Sequence, residues 1–165
     1  MEKKISILEK IIKYNFKKKT ILEKAVTHKS FNNNINNEKL EFLGDRVLGL
    51  TISERLLEKY PHEKEGVIDK KFANLVNKKT CSLIAKKIDL KKFILLGSSH
   101  RKLDRSSDKI TSDCLEAIVG AIYLDGGLKS AEKFIDYFWG DHLLRSNITL
   151  IASKTQLQAF SLKNF

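Results

Sequence analysis

Apolar residues recur along most of the chain at helical spacing. Ile5, Leu8, Ile11 and Ile12 mark one face of a helix over 3–14. Thr20-Ile21-Leu22-Glu23 has the form of a capping box, in which a hydroxyl and a carboxylate each take an unpaired N–H, and it predicts a short helix from 20 to about 28. The Asn-rich stretch 31–37 predicts a loop, because asparagine side chains compete for backbone hydrogen bonds. A long helix over 38–60 follows and stops at Pro61, since the residue before a proline disfavours the α region. After a loop at 62–66 the pattern predicts a helix over 67–87, an apolar and less periodic stretch at 88–96, and a polar loop at 97–107. A helix over 107–124 then closes on Asp125-Gly126-Gly127, a glycine stop signal, and another runs over 128–144. No strand pattern or internal repeat stands out. Residues 148–151 read as a linker, and Ser153-Lys154-Thr155-Gln156 as a second capping box that opens one more helix. The expectation is an all-α bundle.

Composition supports one helical domain. The 165 residues include one proline and eight glycines, and 42% are hydrophobic, which is enough for a core. No apolar run approaches the ~18 residues of a membrane span, and the N-terminus leads into an amphipathic stretch, so a cytoplasmic protein without a membrane partner is expected. Cys81 and Cys114 are isolated and read as small buried apolar residues. The net charge of +11 is unevenly placed. Residues 1–37 carry 9 basic and 3 acidic side chains, and residues 61–112 carry 13 and 6. The stretches 38–60 and 113–165 each lean acidic, with 4 against 5 and 5 against 6. Local carboxylate clusters within a phosphate-attracting surface fit that pattern.

Glu38, Glu41 and Asp45 stand at i, i+3 and i+7 on the predicted helix 38–60, so they share one face. Asp113 and Glu116 repeat the spacing on the helix 107–124, among Cys114, Leu115, Ala117, Ile118 and Val119. Gly44 and Gly49 interrupt the first helix and Gly120 the second, each costing about 1 kcal/mol relative to alanine. Two readings stay open on spacing alone. The faces can be solvated and separate. Alternatively the helices cross at the glycines and pool their carboxylates, which then need a cation; Mg²⁺ prefers such oxygen ligands. The four histidines lack zinc-site spacing, and no glycine-rich nucleotide loop is present, so neither zinc nor a nucleotide cofactor is expected.

The run Glu38-Lys39-Leu40-Glu41-Phe42-Leu43-Gly44-Asp45-Arg46-Val47-Leu48 strongly resembles the signature of the ribonuclease III family. Further blocks fall in that family's order: Ala25-Val26-Thr27-His28-Lys29-Ser30, Glu65-Gly66, Leu75-Val76, and residues 113–127 from Asp113 to Gly127. The resemblance spans roughly residues 5–145. It implies an all-helical endonuclease domain that forms a homodimer on double-stranded RNA. Carried over residue by residue, it implies Glu41, Asp113 and Glu116 as Mg²⁺ ligands, with Mn²⁺ able to substitute. It implies Asp45 as a catalytic acid and Glu116 as catalytic as well as metal-binding. Glu38 and Glu65 resemble acids that line the cutting valley, and Phe42 resembles the apolar knob that a partner subunit receives. The resemblance divides the chain into a catalytic domain, 1–146, and a segment, 147–165, made of a linker and the first helix of an incomplete double-stranded-RNA-binding domain. Ile68-Asp69-Lys70-Lys71, Gly97-Ser98-Ser99, Ser153 and Ala159 depart from the family's usual residues, none of them at the four central carboxylates. The function implied is Mg²⁺-dependent hydrolysis of double-stranded RNA to 5′-phosphate and 3′-hydroxyl ends, in rRNA and mRNA precursor processing. A non-catalytic RNA-binding relative would be expected to lack one of those carboxylates.

Overall fold

The computed structural model describes residues 2–98 and 107–163, with side chains for 2–98 and 108–146. Seven α-helices appear among them: α1 (Glu2–Ile12), α2 (Lys19–Ala25), α3 (Glu38–Lys59), α4 (Glu65–Val76), α5 (Lys78–Lys87), α6 (Ser107–Gly126) and α7 (Leu128–Lys163). A 3₁₀ turn, Leu90–Lys92, follows α5. The described residues form no sheet; Thr27 and Leu95 make one isolated parallel bridge.

The architecture is built around α6. Every described residue from Ile110 to Ile122 is buried, on all sides of the helix. A helix enclosed on every side belongs at the centre of a bundle. Leu115, Ile118, Val119 and Ile122 are completely enclosed, and each such side chain contributes about 1.5–3 kcal/mol by leaving water. That gain offsets the several kcal/mol it costs to desolvate Asp113 and Glu116 on the same helix. Around α6 lie α3, α5, α7 and α2. Trp139 of α7 is fully buried and donates its indole N–H to the Leu75 carbonyl of α4 at 3.0 Å, so its polar edge is paired.

Three element boundaries differ from the sequence pattern. The helix expected over 67–87 is two helices, α4 and α5. Asn77 breaks it with extended backbone (φ −71°, ψ 160°) and accepts from the Thr80 N–H at 2.9 Å, capping α5. Thr20 does not cap α2, whose first residue is Lys19. Asp125 of α6 accepts from the Lys17 and Lys18 N–H groups at 2.9 and 3.1 Å, so a distant carboxylate organises the entry to this helix instead. Gly127, at φ +77°, takes the left-handed turn between α6 and α7. The α7 backbone then stays helical through the irregular segment expected at 148–151, where the sequence holds neither glycine nor proline. The side chains of the capping box at 153–156, and residues 99–106 of the expected polar loop, lie outside what is described.

Candidate functional site

The site lies where α3 crosses α6, and two glycines set how closely. A Cβ on Gly44 would sit 1.7 Å from the Glu116 carbonyl oxygen, and one on Gly120 would sit 2.2 Å from the Leu40 carbonyl oxygen. Only backbones without side chains at both positions fit this crossing. Gly49 has no such role: its nearest neighbour is the Phe72 ring, at an ordinary 3.5 Å.

The crossing brings Glu41 of α3 onto Asp113 and Glu116 of α6. One carboxylate oxygen from each lies within 4.8 Å of the other two. Asp113 and Glu116 are only 6% and 9% exposed, so this is no solvated acidic face. Asp45 lines the same cleft of about 620 Å³, together with Glu38, Phe42, Arg46, Val76, Asn77 and Lys78. Its carboxylate is paired with Arg46 at 2.6 Å. Glu38 stands at the rim, bound to Lys29 at 2.9 Å, and that hydrogen bond holds its carboxyl below the usual range. Glu65 does not line the cleft; it is exposed at the first position of α4. Phe42 is 63% exposed in the single chain, with the Arg46 guanidinium 4.1 Å from its ring centre.

The electrostatics follow from burial. Desolvation, with the charges of Asp45, Asp113 and Glu41 behind it, pushes Glu116 up to about 7. Burial and Asp113 raise Glu41 as well. Four contacts around the cluster escaped the sequence pattern, those of Lys109, Lys78, Arg46 and Cys81. Lys109 Nζ lies 2.5 Å from Asp113 Oδ2, four residues along α6, a spacing the sequence displays but does not single out. Lys78, at the start of α5, acts on Glu41 and Glu116 in the opposite sense to their burial. Cys81 is buried, and its enclosure and the nearby Glu116 raise its thiol pKa. Both cysteines are free and buried, as expected.

The donor set suits a hard cation. Three carboxylates converge in a poorly solvated cleft where burial and then their mutual repulsion already favour protonation of Glu116, and a small oxygen-preferring dication relieves that repulsion.

A profile described as Ribonuclease-III-like matches residues 18–142. The chain belongs to the ribonuclease III family. It is 58% identical over 158 residues to Ribonuclease 3 of Pelagibacter ubique, covering 96% of this chain and 71% of that one. It is 38% identical over 160 residues to Ribonuclease 3 of Bartonella bacilliformis, covering 95% and 68%. Among solved structures it is similar to the nuclease domain of ribonuclease III from Campylobacter jejuni, at 40% identity and a TM-score of 0.76, covering 81% of this chain and 96% of that one. That structure is described as flexible in a region involved in dimer formation. The all-helical nuclease fold and ribonuclease activity of the family therefore hold for this chain. No helix among the described residues is long and apolar enough to cross a membrane.

Proposed function

We propose that this chain is a divalent-cation-dependent endoribonuclease that cuts double-stranded RNA as a homodimer, leaving 5′-phosphate and 3′-hydroxyl ends, and that it works on rRNA and mRNA precursors in the cytoplasm. The observation that carries the reading is the convergence of Glu41, Asp113 and Glu116 within 4.8 Å at the α3–α6 crossing. These three would hold Mg²⁺, with Mn²⁺ as a substitute. A bound dication supplies an activated water and a counter-charge for the phosphodiester as it reacts. The protein's own part is to fix the three carboxylates on two rigid helices, so that little reorganisation accompanies binding.

Asp45 carries the acid role beside the cluster, and Arg46 holds its carboxylate in place. Glu38, at the rim of the cleft, contributes an acid along the path of the RNA; Glu65, outside the cleft, takes no such part. Phe42 is the dimer anchor: an exposed phenylalanine beside an acidic cleft gains by entering an apolar socket on a second copy. The surrounding basic blocks attract phosphates without reading bases, which suits duplex RNA, whose deep, narrow major groove hides its base edges. Residues 1–146 form the catalytic unit in this reading.

End analysis of the products is the test. Fragments from a duplex substrate should carry 5′-phosphates, and should join without prior phosphorylation when treated with RNA ligase. Products ending in 2′,3′-cyclic phosphates, or equal cutting of the separated single strands, would contradict the proposal.

A further inference from the structure

Lys109 is the third residue of α6. The N-terminal end of a helix carries the positive pole of its dipole, so a lysine there is disfavoured. Lysine placed before aspartate at i,i+4 is also the weaker order for a helical ion pair. Helix stability therefore gives no reason for a cation at this position. The carboxylate cluster does. Lys109 Nζ lies 2.5 Å from Asp113 Oδ2, and its charge also bears on Glu41 and Glu116. The pair is lopsided: the lysine side chain is 64% exposed and that of Asp113 only 9%. The ammonium thus reaches from solvent on a flexible stem onto a buried carboxylate that a metal would need.

We propose that Lys109 is a built-in counter-cation of the carboxylate cluster, which an incoming divalent cation must displace from Asp113, so that this lysine sets the metal concentration the enzyme requires. The inference rests on the metal-binding reading of Glu41, Asp113 and Glu116. With Lys109 in place the three carboxylates carry one compensating charge, which lessens their repulsion but also lessens their pull on a dication. Because the stem is exposed, the lysine can swing away at little cost in packing. Lys78, at the first position of α5 and lining the same cleft, adds background positive charge, but no ion pair ties it to Asp113.

The experiment is calorimetric titration of Mn²⁺ into wild type, Lys109→Gln and Lys86→Gln, with melting temperatures of each in EDTA. Lys86 pairs with the exposed Asp108 at 2.8 Å and controls for the loss of one positive charge. Lys109→Gln should bind Mn²⁺ about three- to tenfold more tightly than wild type, as expected from removing a unit charge close to a dication. It should also melt lower in EDTA, where no ion pair then offsets the charge of Asp113, and recover in saturating Mn²⁺. Lys86→Gln should match wild type in Mn²⁺ affinity. Unchanged or weaker Mn²⁺ binding by a folded Lys109→Gln would overturn the proposal. An equal gain in Lys86→Gln would reduce it to a net-charge effect. If wild type itself binds no Mn²⁺, the metal site fails and the role of Lys109 with it.

Discussion

Between about pH 4.5 and 7, Glu116 in the metal-free fold retains a proton that the unfolded chain releases. Its pKa stands at about 7 in the fold against an ordinary 4.5. Stability attached to that proton is present below pH 4.5 and is lost as pH rises towards 7. We therefore expect the melting temperature in EDTA to fall between pH 5 and pH 8, with Glu116→Gln losing that contribution. The variant should be the more stable protein at pH 8 in EDTA, by about 3 kcal/mol for a shift of this size. His142, whose pKa burial lowers, acts in the opposite sense over part of this window, so the quantity to read is the difference between wild type and variant in urea unfolding at each pH. A pH-independent difference would contradict the burial argument. The sequence displayed this carboxylate and its helical partner Asp113, because a three-residue spacing is visible without coordinates. It could not display how dry the site is. That depends on α6 being enclosed from every side, a property of the whole bundle.

Among the elements, the α3–α6 crossing positions the chemistry. Gly44→Ala would drive a methyl group into the Glu116 carbonyl and towards the Gly120 N–H, at 1.7 and 2.8 Å. Both are backbone atoms, so the helices must separate. We expect a loss of roughly 1–3 kcal/mol or more from overpacking, and weaker Mn²⁺ binding as Glu41 moves off Glu116. Gly49→Ala is the matched control, since its methyl meets only the Phe72 ring at van der Waals distance. It should be neutral, or stabilising by up to about 1 kcal/mol through helix propensity. Urea unfolding of the two variants separates these outcomes; equal destabilisation would show that the crossing is not what makes glycine necessary. The long helix and the two acidic faces were legible because their period and glycines are local signals. The break at Asn77 was harder to see, because apolar periodicity runs on across it and only the asparagine cap marks it. The entry to α2 was not legible at all, since Asp125, about a hundred residues away, accepts from the Lys17 and Lys18 N–H groups.

For the whole molecule, α3 leaves Phe42, Leu50 and Leu57 exposed within about 80° of one another around the helix, with Phe42 at the edge of the acidic cleft. A second copy would cover that stripe. Sedimentation should therefore show a dimer, and Phe42→Ala should weaken it by about 1.5–3 kcal/mol with helix content intact. A wild-type monomer at micromolar concentration would refute the anchor. Family membership and an all-helical fold were already implied by the signature around Glu41 and the block around Asp113, and both stand. The central claim is that the buried carboxylates bind a dication that carries hydrolysis. It is tested most directly by the rate of duplex RNA cleavage across a Mg²⁺ titration, for wild type and Glu116→Gln side by side. Wild type should cut only when Mg²⁺ is present, and the folded variant should be slower by more than about a hundredfold even at saturating metal. Cleavage by wild type in EDTA, or a variant that reaches the wild-type rate, would contradict the account.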